Sequence, residues 1–91
     1  MNGFDLQRQD YRIDLVALAP ERNIRRRYAI AASRDLFGHI IVELSWGRIG
    51  TRGQHMRMSF ERGDAAARFV ARTLRRRVSA KARLGCSYEP A

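Results

Sequence analysis

The 91-residue chain carries 18 Lys plus Arg against 9 Asp plus Glu, a formal net charge of +9, with 45% hydrophobic and 30% charged residues. So short a chain holds one domain with one modest core, and the composition is that of a folded domain rather than a disordered tail. The apolar clusters Leu15 to Pro20 and Ile40 to Val42 are too short to span a membrane, the lone Cys86 excludes an internal disulfide, and the start lacks a basic segment followed by an apolar run, so a reduced, cytoplasmic protein is expected.

Residues 1–10 show no periodicity and read as a poorly ordered lead-in. From Tyr11 the order changes: Tyr11, Ile13, Leu15 and Ala17 alternate with Arg12, Asp14 and Val16, the period-two signature of a strand, which Pro20 stops. Pro20-Glu21-Arg22-Asn23 reads as a turn. A second strand follows over residues 25–32, with Arg25, Arg27, Ala29 and Ala31 on one face and Arg26, Tyr28, Ile30 and Ala32 on the other. Turn formers from Ser33 to Gly38 predict a reversal, then a third strand over 39–46 in which Ile40, Val42, Leu44 and Trp46 share a face.

Three glycines in residues 47–53 predict a tight connection to a fourth strand over about 54–60, where Met56, Met58 and Phe60 alternate with His55, Arg57 and Ser59. The period then becomes helical. With Asp64 as N-cap, Ala66, Phe69, Val70, Thr73 and Leu74 fall on one arc with Val78 at its margin, while Arg68, Arg72, Arg75 and Arg76 fall on the other. Arg77 projects near the apolar arc and fits only by snorkelling at the sheet edge. Gly85 is the expected stop. The fold class read from this pattern is α+β: an antiparallel sheet of about four strands with one C-terminal helix packed on one face, as a single domain over 11–88.

No constellation for catalysis is visible. His39, His55 and Cys86 lie apart with no metal-ligand spacing, and the carboxylates Asp35, Glu43, Glu61, Asp64 and Glu89 show no pairing beyond capping and solvation. The expectation is a protein that is no enzyme and needs no cofactor and no metal. Seventeen of the 18 basic residues are arginine, whose planar fork suits phosphates and aromatic faces. GC-rich codon usage also replaces lysine with arginine, but it does not create an excess of positive charge.

The chemistry concentrates in Trp46-Gly47-Arg48-Ile49-Gly50-Thr51-Arg52-Gly53-Gln54, where the only tryptophan sits beside an arginine in a glycine-punctuated turn. The GxxGxxG spacing of Gly47, Gly50 and Gly53 is neither a dinucleotide fingerprint nor a Walker loop, and the strand-like flanks of Gly47 to Gly50 disagree with the helix-flanked clamp of KH domains. These glycines read as backbone necessities of the turn. Trp46 has two readings, a core residue continuing the Ile40, Val42 and Leu44 face or an aromatic platform for a ligand.

The segment resembles the signature of the WGR domain. The likeness extends to Asn23-Ile24-Arg25-Arg26-Arg27-Tyr28, to Asp35-Leu36-Phe37-Gly38, to Phe60 and Ala66 and to the basic helix ending in Lys81, and so to the small stand-alone bacterial members related to the WGR domain of poly(ADP-ribose) polymerases. Where such proteins usually have a Gly-Tyr pair after the helix, this chain has Gly85-Cys86-Ser87-Tyr88. The resemblance implies a sheet packed by one helix and a non-catalytic module that binds nucleic acid. In the polymerases the motif tryptophan stacks at the DNA end and the arginine contacts DNA or a neighbouring domain, roles that fall on Trp46 and Arg48.

The candidate DNA contacts are therefore Trp46, Arg48, Arg52 and Gln54 from the signature, Arg25, Arg26 and Arg27 from the second strand, and Arg72 and Arg76 from the helix. The arginines of the second strand cannot all point the same way. The expected function is sequence-independent DNA binding with a preference for ends or breaks. An adaptor for an acidic protein partner, with Trp46 and Arg48 as hot spot, and RNA binding are the competing readings.

Overall fold

The computed structural model describes residues 11–79, 86 and 88–91, apart from the side chain of Val78. The lead-in, Lys81 and the expected helix stop at Gly85 lie outside the described residues. Strand β1 (Tyr11–Ala19) leads through a single 3-10 turn (Pro20–Arg22) into β2 (Ile24–Arg34), followed by β3 (Ile40–Arg48), β4 (Gln54–Phe60), helix α1 (Gly63–Val78) and a short β5 (Glu89–Pro90). The sheet order is β4-β3-β2-β1-β5, antiparallel throughout. Strands β2 and β3 run longer than their alternation suggested, and β5 adds a fifth strand against Leu15 and Val16.

The period-two pattern decides which face is buried. Residues paired in antiparallel register share a side, so Leu15, Tyr28 and Trp46 line up across three strands, and Ile13, Ile30, Leu44 and Met56 across four. This face holds the core, with Leu15, Tyr28, Ile30, Ala32, Ile40, Val42 and Leu44 closed off by Ala66 and Val70 of the helix. Phe60 and Phe69 clamp the helix to β4, ring centroids 5.5 Å apart. The reverse face carries Arg12, Asp14, Leu18, Arg25, Arg27, Glu43 and His55 and has no helix over it among the described residues.

Two turns sit at one end and a third at the other. Asn23 closes the 3-10 turn in the left-handed region (φ 58), which asparagine tolerates better than most residues, and its N–H donates to the Pro20 carbonyl at 3.0 Å. At the far end, Asp35 Oδ1 accepts the N–H groups of Phe37 (2.8 Å) and His39 (2.9 Å). Desolvation works against ionisation of this carboxyl, but the two backbone donors together with the His39 side chain outweigh it and hold it below its ordinary range. That ordered turn carries Leu36 and Phe37 into solvent, 99% and 84% exposed.

Asp64 is not the N-cap. Arg62 occupies that position without a side-chain cap, and Asp64 lies in the first turn, bridged to Arg62 (3.0 Å) and Arg68 (3.4 Å). Hydrogen bonds from Arg62 hold its carboxyl well below the usual carboxylate range. The positive end of the helix favours the same ionised form, so Asp64 still serves the helix start, through charge rather than capping.

Ile30 is fully buried whereas Leu18, on the reverse face, is 54% exposed. Ile30→Ala is expected to lower unfolding free energy by about 2–5 kcal/mol and Leu18→Ala by no more than about 0.5 kcal/mol. Urea denaturation of the two variants checks this ranking, and equal losses would contradict the assignment of faces.

Candidate nucleic-acid interface

The signature turn is built by three backbone requirements. Gly47, Gly50 and Gly53 all have positive φ (152°, 90° and 69°). At Gly53 a Cβ would strike the Trp46 carbonyl oxygen and come within 2.9 Å of the Arg27 guanidinium, and at Gly47 it would meet Gly53 Cα at 2.7 Å. The two ends of the turn thus touch through glycines, and no larger residue fits at either. Thr51 closes the turn, its N–H and hydroxyl donating to the Arg48 carbonyl at 3.1 and 2.7 Å.

Two of the expected contact arginines hold this turn in place. Arg27, opposite Gly47 in the register, donates from one guanidinium nitrogen to the carbonyls of Thr51 (2.9 Å) and Arg52 (2.6 Å). Arg48 reaches the other turn, donating to Asn23 Oδ1 at 3.0 Å and more weakly to its carbonyl at 3.4 Å. The Ile49 N–H donates to the Arg25 carbonyl at 2.9 Å and adds a backbone link between the same turns. Arg27 is half-buried, and one nitrogen of its fork is engaged with backbone carbonyls. Arg48 remains exposed, with donors of its fork still open to solvent.

Trp46 is half-buried, packed against the core yet with part of its surface exposed, which joins its two readings. It stacks beside Tyr28, centroids 5.9 Å apart and planes 21° apart. Tyr88 meets Tyr28 edge-on at 6.3 Å, and the Arg77 guanidinium sits over the Tyr28 ring, 4.4 Å from its centroid. Burial pushes the Tyr28 phenol above its ordinary range, while the charge of Arg77 pulls the other way. Arg77 was the awkward residue of the helical wheel, and its charge is accommodated by the ring.

Helix α1 runs back along the sheet and brings its last turn, with Arg75, Arg76 and Arg77, to the same end as the signature turn. The negative end of the helix dipole favours cations there. Between helix and sheet lies an open groove of about 330 Å³. Tyr28, Leu44 and Trp46 form its floor, Met56 one side, and Phe69, Thr73, Arg76 and Arg77 the helical wall.

Register and helix position sort the expected contacts. Trp46, Arg26, Arg48 and Gln54 share the helix-side face, where Arg26 pairs with Arg48 and Gln54 with Trp46, and Arg76 borders the same groove. Arg52 is exposed in the turn itself. Arg25 and Arg27 point to the reverse face, and Arg72 lies exposed on the outer side of α1. Arg22, in the 3-10 turn at this end, and the groove residues Met56, Phe69, Thr73 and Arg77 were read from the sequence only as parts of the turn, strand and helix and not as site residues; the misplaced charge of Arg77 was the signal that could have found the last.

A model of the WGR domain matches residues 11–83, and the chain belongs to that family. It is 41% identical over 69 residues to an uncharacterized protein, y4dW, of Sinorhizobium fredii (strain NBRC 101917 / NGR234), an alignment covering 76% of this chain and 34% of the relative. The chain thus spans about a third of that relative's length. No solved structure matches it significantly. WGR domains are non-catalytic modules that bind nucleic acid in general. Among the described residues no helix is long and apolar enough to cross a membrane.

Arg27→Met keeps the aliphatic stem but removes both carbonyl contacts. It is expected to cost about 1–3 kcal/mol of stability and to speed amide exchange selectively at residues 49–53. Urea denaturation with hydrogen exchange checks this, and unchanged exchange in that turn would contradict the clamp.

Proposed function

We propose that this protein binds DNA without regard to sequence, with a preference for ends or breaks, through the end of the sheet where Trp46 lies among arginines. The observation that carries the reading is the half-open indole, held in place by Tyr28 on one flank and bordered by Arg48 and Arg76 on the others. Phosphates pair with the exposed guanidinium groups, which fix position without reading sequence. A partly exposed indole stacks on a base or sugar only where the duplex stops, because continuous duplex offers no unstacked surface. Family membership supports the nucleic-acid part of this reading; the preference for ends rests on Trp46.

A net charge of +9 gives the interaction long reach, and the release of counterions from DNA makes it dependent on salt. An acidic protein partner would meet the same guanidinium groups but would offer no regular phosphate array and no exposed base to Trp46.

Trp46→Leu retains an apolar contact with Tyr28 while removing the indole. It is expected to weaken binding to nicked or linear-end duplex about 5- to 150-fold, the equivalent of about 1–3 kcal/mol for one stack, and to change binding to closed circular duplex far less. Competition among closed duplex, nicked duplex, single-stranded DNA, RNA and poly-glutamate across salt concentrations checks the whole reading. The log-log salt slope on duplex should be steeper than about −2, since each phosphate contact contributes about −0.9. A flat slope, or poly-glutamate displacing DNA at equal charge, would contradict it.

A further inference from the structure

We infer that the groove between α1 and the sheet takes a single unpaired nucleobase, so that the preferred substrate is a DNA end or gap carrying an unstacked nucleotide. This rests on the nucleic-acid reading above and adds to it a pocket with its own chemistry.

The groove is about 330 Å³, at the small end of ligand pockets, and suits one planar heterocycle rather than a base pair. Its floor is the indole of Trp46 and its sides are Met56 and Phe69, so a flat ring finds aromatic surface below and apolar or thioether contacts beside it. Met56 is 45% exposed, an apolar side chain left open at the groove mouth. A phosphate set on the floor would lose water against Leu44, Trp46, Met56 and Phe69, and Arg76 at the rim and the exposed arginines outside offer it better-hydrated sites.

A second, independent observation points to a ligand with hydrogen-bond acceptors. The Nε of Arg77 is buried and has no hydrogen-bond partner among the described residues. A buried donor left unmatched is costly, and Arg77 lines the groove. Nucleobases carry ring nitrogens and carbonyl oxygens on their edges, and once the Arg77 side chain turns toward the groove one of these supplies the acceptor that its sealed Nε lacks. A purely hydrocarbon ring would not. Arg76, at the rim, is placed to meet the phosphate attached to the same nucleotide. A base already unpaired enters most readily, because no pairing has to be broken first.

The test uses hairpin duplexes that end in one unpaired nucleotide, either with its base or as a tetrahydrofuran abasic analogue, so that the number of phosphates is constant. The normal nucleotide should bind at least about fivefold more tightly and quench the fluorescence of Trp46, the only tryptophan of the chain, whereas the abasic end should do neither. Met56→Trp, which fills the groove with an uncharged ring, should bring the ratio of the two affinities to about one. Equal affinity of the unaltered protein for both ends, with binding retained, would overturn the base pocket and leave the nucleic-acid reading standing, as would a ratio that survives Met56→Trp. Failure to bind any hairpin would overturn both.

Discussion

Arg27 stands opposite Gly47 in the sheet and reaches across the signature turn to the carbonyls of Thr51 and Arg52, while Gly53 lies so close to the Trp46 carbonyl that no side chain fits between them. Everything proposed for this end of the molecule depends on that clamp. Without it the turn from Ile49 to Gly53 would be tied mainly through Thr51, and Trp46 would border a loop of undefined shape. With it, the turn is pinned to β2, and the indole is held beside Tyr28. The Arg27 guanidinium serves two carbonyls of a sharply bent chain from one terminal nitrogen, and its charge strengthens both hydrogen bonds.

The same end concentrates arginines that are ion-paired to no carboxylate among the described residues. Arg22, Arg25, Arg26, Arg48 and Arg52 approach from two turns, and Arg76 and Arg77 arrive with the last turn of α1. Elsewhere in the molecule arginines meet carboxylates, as Arg12 meets Asp14 at 2.9 Å and Arg62 meets Asp64 at 3.0 Å. The contrast has a physical meaning. Mutual repulsion among guanidinium groups lowers stability in the free protein, and a polyanion relieves it on binding, so affinity and relief of strain draw on the same charges. Tyr28 moderates this by taking Arg77 onto its ring face.

Much of the fold could be read directly from alternation. The fourth strand, Gln54–Phe60, has the same bounds in sequence and structure because Met56, Met58 and Phe60 alternate cleanly between two breaks. The apolar arc of the helix likewise predicted Ala66, Phe69, Val70, Thr73 and Leu74 as its inward side, of which Ala66, Val70 and Thr73 are buried and Phe69 and Leu74 half-buried. What was illegible depends on partners distant in the chain. Glu89–Pro90 is too short to show a period and becomes a strand only because β1 offers an edge. Asp64 has the chemistry of a cap, yet its carboxylate is taken by Arg62 and Arg68, two and four residues away.

The arginines show the same division within the candidate site. Nothing local distinguishes Arg25, Arg26 and Arg27, and alternation separates their faces without assigning their work. Arg27 becomes a clamp through residues 24 and 25 positions away, and Arg48 ties down Asn23 across a similar span. The groove is built from β2, β3, β4 and α1 and could emerge only once the helix was laid on the sheet. The central claim is that DNA docks on the helix-side end of the sheet around Trp46, and mapping amide and indole NMR shifts during titration with a nicked duplex tests it most directly. The account predicts that the shifts cluster at the Trp46 indole, residues 48–54 and residues 73–77; shifts confined instead to the reverse face of the sheet or to the turn at Leu36 and Phe37 would contradict it.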